Sequence, residues 1–539
     1  VGVRALYTAA DAPGGTSVGR ARAGAWDIRA VVAAEAAGQA LEELEGGATS
    51  IELQAYADFT DFAGALSGVL LDLAPLALDA GAALGPAQAL ADFARRRGLR
   101  AAPFAFNLDP FAALARDGAA PAPANVLSLA AKLHAEFPNA LVLRADARAV
   151  HESGGSEAQE LAWMLAAGAG LLRAGEAAGL APETVSATTL FTLAVGDDAT
   201  LEIAKLRAAR KLWAHALAAC GASAPMTLHA VTGARMMTRR DAWTNMLRTT
   251  AAGFAAGVGG ADVVSILPMT HALGAPTPFA RRIARNTQIL LLEESHLARV
   301  ADPAAGSWAF ESLTEELAQA AWALFQEIEK RGGIATAFAW FSGEIARVRD
   351  ARMRNVRWRK DAITGVSEFP LIAAREVEAL PRPAPGPRAG LPEIRLAQPF
   401  ENLRDAAQRA GTPAIFLATL GPLAQFSARA MFAKNLFEAG GLGALGAEHE
   451  HESEAALIAA YRKSGAKIAC LCGADVVYAE RAEGAARALK AAGCAFVFLA
   501  GRPGDAEARL RMAGVDAFAF AGGDAIETLQ AAHAALGIA

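Results

Sequence analysis

Two short clusters in this 539-residue chain carry residue types able to do chemistry. Cys470 and Cys472 sit in the run Ile468-Ala469-Cys470-Leu471-Cys472, and two thiols so close suggest a redox pair or half of a thiolate metal site. The run is apolar throughout and reads as a buried strand, on which residues two apart share a face. No second ligand pair follows, so both read as small buried hydrophobes. The second cluster, Glu448-His449-Glu450-His451-Glu452, offers imidazole and carboxylate to a divalent ion. An alternating acidic run of this kind is better explained as a solvated loop. His229 and His271 stand alone, and a lone histidine at a strand end is more often structural. With Cys220 and Cys494 there are four cysteines, too few for a disulfide framework, which points to a reducing compartment.

The background composition narrows the partners. A net charge of -5, with 51 Lys and Arg spread along the chain, gives no basic field for nucleic acid or an anionic membrane. The Ala/Leu-rich stretch 64–90 is broken by Asp72, Pro75, Asp79 and Pro86, so it is not expected to span a bilayer. No signal peptide is read at Val1-Gly2-Val3-Arg4-Ala5-Leu6-Tyr7, and the missing initiator Met leads us to expect further sequence ahead of it. A soluble, cytoplasmic protein is expected.

The elements that would position a site fall into two groups. Before residue 375, short apolar runs at 50–53, 102–106, 140–143, 185–188, 227–230 and 263–266 alternate with helical patterns. One such helix, 201–217, carries Glu202, Lys205, Arg207 and Arg210 as candidates for a water-facing stripe. Repeated strand–helix alternation over this length predicts a (β/α)8 TIM-type barrel across 1–375. Pro381, Pro383, Pro385 and Pro387 predict a semi-rigid linker within 376–411. Beyond it, apolar runs at 414–420, 468–472, 495–499 and 517–520, each followed by a helix, predict a flavodoxin-like, doubly wound domain over 412–539.

Local wording then narrows the fold to a family. Trp26-Asp27-Ile28-Arg29, Glu202-Ile203-Ala204-Lys205-Leu206-Arg207-Ala208-Ala209-Arg210, Asp241-Ala242-Trp243-Thr244-Asn245-Met246-Leu247-Arg248-Thr249-Thr250, Gly257-Val258-Gly259-Gly260-Ala261-Asp262, Arg282-Ile283-Ala284-Arg285-Asn286-Thr287-Gln288 and Val300-Ala301-Asp302-Pro303-Ala304-Ala305-Gly306-Ser307-Trp308 occur in this order. Together they resemble the barrel of methylmalonyl-CoA mutases, which use adenosylcobalamin. Singly, each could be an ordinary helix or turn; their order and number carry the resemblance.

The resemblance implies a cobalt-binding Asp-x-His-x-x-Gly loop after the first strand of the C-terminal domain. This chain has Leu423, Gln425 and Ala428 at those positions, with Pro422 and Phe426 expected as added bulk in the cofactor's path. An amide is a far weaker ligand than imidazole, and Leu accepts no hydrogen bond. Two further loops also depart, as Leu471-Cys472-Gly473-Ala474-Asp475 and Ala500-Gly501-Arg502-Pro503. In the barrel, Val31 stands where the family has a Tyr, and Thr189 is aligned to its substrate-facing His. We therefore expect no catalytic, cofactor-binding or metal residue on this chain. The family pattern implies a non-catalytic small subunit paired with a homologous large subunit that carries adenosylcobalamin, with a G-protein chaperone as a further partner. The other readings are an active acyl-CoA mutase with unusual cobalamin attachment, or a regulatory module that binds a CoA ester.

Overall fold

The computed structural model describes residues 3–4, 6–11, 24–81, 83–119, 121–373, 375, 377–382, 389–451 and 453–538. It divides into two compact units. The first comprises Val1–Met237, Asn245–Arg349 and Glu378–Arg395, the second Thr238–Thr244, Asp350–Val377 and Leu396–Ala539. Among the described residues, no helix is long and apolar enough to cross a membrane.

Unit 1 is a closed barrel of eight parallel strands in sequence order: β1 (Asp27–Ala33), β2 (Ser50–Gln54), β3 (Leu76–Asp79), β4 (Phe104–Leu108), β5 (Leu141–Asp146), β6 (Thr189–Val195), β7 (Thr227–Thr232) and β8 (Val263–Ser265). Closure comes from β8 pairing with β1, Asp27 opposite Val263. The run 185–188 is no strand. It falls largely within the helix Pro182–Ala187, which Pro182 starts and Thr188 ends by donating its hydroxyl to Thr184 O at 2.7 Å, so β6 begins one residue later.

The helix Ala199–Ala219 overturns a second expectation. Glu202, Lys205, Arg207 and Arg210 are buried, because the helix Trp308–Lys330 packs over it as an outer layer. Each charge is answered there. Lys205 Nζ lies 2.8 Å from Glu160 Oε2 and 2.5 Å from Glu202 Oε2, and donates to Ala194 O. Arg207 pairs with Asp302 and with Glu311 at 2.7 Å. Arg210 donates to Gly260 O and Met226 O and pairs with Asp262, clamping the starts of β7 and β8. The neighbouring helix Glu157–Ala177 opens with a capping box of Ser156 and Gln159. It approaches Ala199–Ala219 so closely that a Cβ on Gly168 would collide with the Trp213 ring.

Unit 2 is built on a five-stranded parallel sheet: β9 (Ala414–Thr419), β10 (Gly443–Leu445), β11 (Ile468–Cys472), β12 (Phe496–Ala500) and β13 (Ala517–Ala519), in the order β10-β9-β11-β12-β13. One face buries Ile415, Leu417, Cys470, Cys472 and Phe498 under the helices Gln398–Arg409, Leu423–Ala439 and Ala525–Ala535. The other buries Phe416, Leu471 and Leu499 under Glu454–Ser464, Asp475–Ala491 and Glu507–Met512. Both thiols are free core groups on one face. Of the stretch expected as a linker, Glu378–Arg395 groups with unit 1, where Leu380 bridges Ala275, and Gln398–Arg409 is a helix of unit 2. Pro383, Pro385 and Pro387 lie outside the described residues.

The buried triad yields a prediction. Burial lifts Glu160 from its ordinary 4.5 to about 7, Lys205 pulling it down and Glu202 pushing it up. The folded chain thus keeps a proton that the unfolded chain releases, and stability falls as pH climbs from the unfolded value towards 7. Lys205→Met strands two buried carboxylates, with an expected loss of about 3–5 kcal/mol and a steeper decline with pH. Urea midpoints between about pH 5 and 8 measure both effects; a variant unfolding like the parent would contradict the assignment.

Candidate functional site

Ligands of parallel barrels sit at the carboxyl ends of the strands. Here that region leads into a bore filled with charge. Glu52 on β2 and His229 on β7 approach to 3.8 Å, although β1 and β8 separate them around the wall, so they meet across the barrel. His229 Nε2 lies 2.9 Å from Ser265 Oγ. Arg144 on β5 reaches Asp79 on β3 at 3.5 Å, Asp146 at 3.1 Å and Thr192 Oγ1 at 3.1 Å. Arg148 closes the set on Asp146 at 2.6 Å and Asp79 at 3.5 Å. On β1, Arg29 donates to Ser50 Oγ at 3.0 Å and pairs with Asp27 at 3.1 Å.

These groups set one another's protonation. Burial would lift Asp146, but Arg148 and Arg144 outweigh it and hold the carboxyl at about 2. Burial, with Arg29, Arg144 and Arg148 adding to it, drives His229 well below its usual range, so its imidazole is neutral. Asp109, which caps the helix Pro110–Asp117 through Phe111 N and Ala112 N and also accepts from Asp146 N, is pushed by burial to about 7. Burial, then Arg382 and Arg395, lowers His271 to about 4. The charges inside the wall thus pair chiefly with one another.

The sequence-predicted barrel positions are not brought together. Val31 is half-buried in β1, opposite Glu52 in register, beside a cavity of about 40 Å³. A small-molecule site needs roughly 300 Å³ or more. Thr189 is the first residue of β6, at the amino end of the barrel, and its hydroxyl donates to Val185 O at 2.6 Å. Its alignment to a substrate-facing His is therefore corrected: a barrel site lies at the opposite end of the strand. Glu52, Arg144, Asp146, Arg148 and Asp79 fill the bore, a role that sequence reasoning does not assign to them. Their signal was a charge at alternate positions of apolar strands, as in Leu143-Arg144-Ala145-Asp146.

In unit 2 the strand order reverses at β9 and β11, where open parallel sheets bind ligands at their carboxyl edge. The chain's own side chains occupy this ground. Leu423 is exposed, and its N–H donates to Glu450 Oε1 at 2.7 Å. Gln425 and Ala428 are exposed at the start of the helix Leu423–Ala439. Phe426, expected in the cofactor's path, is instead fully buried in the core, because it faces the sheet one residue past Gln425. Arg429 lies over the Tyr478 ring at 4.9 Å and pairs with Asp475 at 2.5 Å. Tyr478 is wedged between β11 and β12: its hydroxyl accepts from Gly473 N at 3.0 Å and lies 2.9 Å from Leu471 O and Ala500 O.

The residues of this edge do not fit a cobalt-bound corrin. Gln425 and Leu423, exposed at the start of the helix Leu423–Ala439, offer neither an imidazole nor a carboxylate, and Tyr478 ties the end of β11 to that of β12 beneath Arg429. Among the described residues, no group of three or more His, Cys, Asp or Glu is placed to hold a metal ion. The run around His449 is only partly the solvated loop expected: His451 is buried, its ring 5.9 Å from that of Phe416. Glu452 lies outside the described residues.

Comparison with known proteins now adds to this geometry. The sequence profile described as Methylmalonyl-CoA mutase matches residues 59–384. The methylmalonyl-CoA mutase small subunit of Streptomyces virginiae is 44% identical over 99% of this chain and 91% of that protein. That of Propionibacterium freudenreichii subsp. shermanii is 37% identical over 97% of this chain and 85% of its own length. The methylmalonyl-CoA mutase of Escherichia coli is 36% identical over 42% of this chain and 33% of its own. With an eight-stranded parallel barrel, the profile match and the two small-subunit similarities over 99% and 97% of its length, the chain belongs to the methylmalonyl-CoA mutase family.

Proposed function

We propose that this chain is the non-catalytic small subunit of a heterodimeric, adenosylcobalamin-dependent methylmalonyl-CoA mutase in the cytoplasm. A homologous large subunit would carry both cobalamin and the radical interconversion of methylmalonyl-CoA and succinyl-CoA, with a G-protein chaperone serving the complex. On this reading unit 2 is a flavodoxin-like, cobalamin-binding-type domain that has kept its sheet and lost its ligand. The observation that carries it is the carboxyl edge of the sheet, where Leu423 and Gln425 offer no cobalt ligand and Tyr478, under Arg429, is hydrogen-bonded to the strand ends. The charged bore supports it from the barrel side, since a substrate entering there would have to break pairs such as Arg144–Asp146. What remains for such a barrel is to be a rigid partner surface.

The chain alone is expected to leave the absorbance spectrum of added adenosylcobalamin unchanged, whereas tight stoichiometric uptake would overturn the reading. Rebuilding the loop as Leu423→Asp, Gln425→His and Ala428→Gly is expected to give at most weak uptake while Tyr478 and Arg429 stay in place. Adding Tyr478→Ala and Arg429→Ala should strengthen it, and a triple variant that already binds tightly would count against Tyr478 and Arg429 as obstacles to it.

Mixed with a homologous large subunit, the chain is expected to sediment as a one-to-one complex with an interface above about 2,000 Å². Independent sedimentation of the two species at micromolar concentration would contradict the subunit assignment.

A further inference from the structure

Unit 2 contains a cavity of about 570 Å³ between the segment 358–370, the second half of the helix Leu423–Ala439, and the turn from β13 into the helix Ala525–Ala535. Its volume is that of a small-molecule site. None of its lining residues belongs to the loop 421–428. Aromatic rings stand on all three walls: Trp358 and Phe369 on the first, Phe432 on the second, Phe520 on the third. The remainder of the third wall is Ala521-Gly522-Gly523 with Ala525 and Thr528, and a Cβ on Gly522 would meet nothing closer than 3.9 Å. Rings facing a wall of small residues leave a slot suited to a flat body.

The charges at the rim are spent on one another. Glu368 pairs with Arg359 and accepts from Asn435 Nδ2, while Asn435 Oδ1 accepts from Phe369 N at 2.8 Å. Lys434 pairs with Glu438. The lining is thereby neutral overall. Phe369 is the second pointer. It is 75% exposed and held at φ 50°, a left-handed conformation that a bulky side chain adopts at a cost. An exposed, strained phenyl ring at the mouth of an aromatic slot gains its contacts when something fills the slot.

We propose that this cavity binds a flat, largely apolar aromatic ligand. The ring lies among Trp358, Phe432 and Phe520 with Phe369 closing over its edge. Nothing in this binding depends on whether the chain is a small subunit, because the readout is the isolated full-length protein.

Calorimetric titration with 2-naphthol as the flat probe, and hexanoate as an acyl comparator, tests it. Saturable one-site binding of 2-naphthol on the order of 10–100 µM is expected, with hexanoate weaker. Thr528→Phe fills the slot and should weaken binding about tenfold or more. Phe369→Ala, at an exposed position, should weaken it in the same direction without lowering the unfolding temperature, and decides the matter if the first variant is unstable. Absence of saturation, tighter binding of hexanoate, or indifference to Phe369→Ala in a folded variant overturns the assignment. Competitive displacement of 2-naphthol by a large subunit overturns it too, in favour of a partner side chain as the occupant.

Discussion

Charge buried inside the barrel is the constraint on which the rest of unit 1 depends. A closed eight-stranded barrel must fill its own interior, and most do so with layers of branched apolar side chains. Here the filling includes Arg29, Glu52, Arg144 and Asp146, each far too costly to bury alone, around the neutral imidazole of His229. Their mutual satisfaction requires β2 to face β7 and β3 to face β5 at fixed heights. Strand register, closure and side-chain protonation are therefore one problem with one solution. The same logic recurs outside the wall, where Lys205 and Arg210 tie the helix Ala199–Ala219 to the ends of β6, β7 and β8.

How legible this was depends on the range of the interaction. Apolar runs such as Ile468-Ala469-Cys470-Leu471-Cys472 are readable because a strand covered on both faces shows no polar period. The edge strand β10, Gly443–Leu445, escaped because three residues starting with Gly carry no such run, and β3 lay hidden in the Ala/Leu stretch. Glu202, Lys205, Arg207 and Arg210 were misread for a different reason. A charged stripe ordinarily faces water, and the helix that covers it comes about a hundred residues later, beyond any local window. The unsuitability of Leu423 and Gln425 for a cobalt ligand could be read from residue type alone. That Tyr478 ties β11 to β12 beneath Arg429 could not, because the two reach the strand ends from separate helices.

The two units have settled the same difficulty in different ways. In the barrel, space around the axis is taken up by ions that satisfy one another. At the edge of the unit 2 sheet it is taken up by a phenol that hydrogen-bonds the strand ends directly, Tyr478 linking β11 to β12. In both, many inward-facing polar groups pair within the protein, although Arg29 Nη1, Glu52 Oε2, Arg144 Nη2 and His229 Nδ1 in the bore have no hydrogen-bond partner.

The interlocked bore also has an evolutionary side. Emptying it would mean removing charges, but the loss of Arg144 leaves Asp79 and Asp146 leaning on Arg148 alone, and the loss of Glu52 leaves His229 among three guanidinium groups. Each single step away from the filled state thus passes through a destabilised intermediate, while steps that preserve it are neutral. Such an interior resists opening by successive point mutations, because each lone removal leaves a buried charge short of a partner.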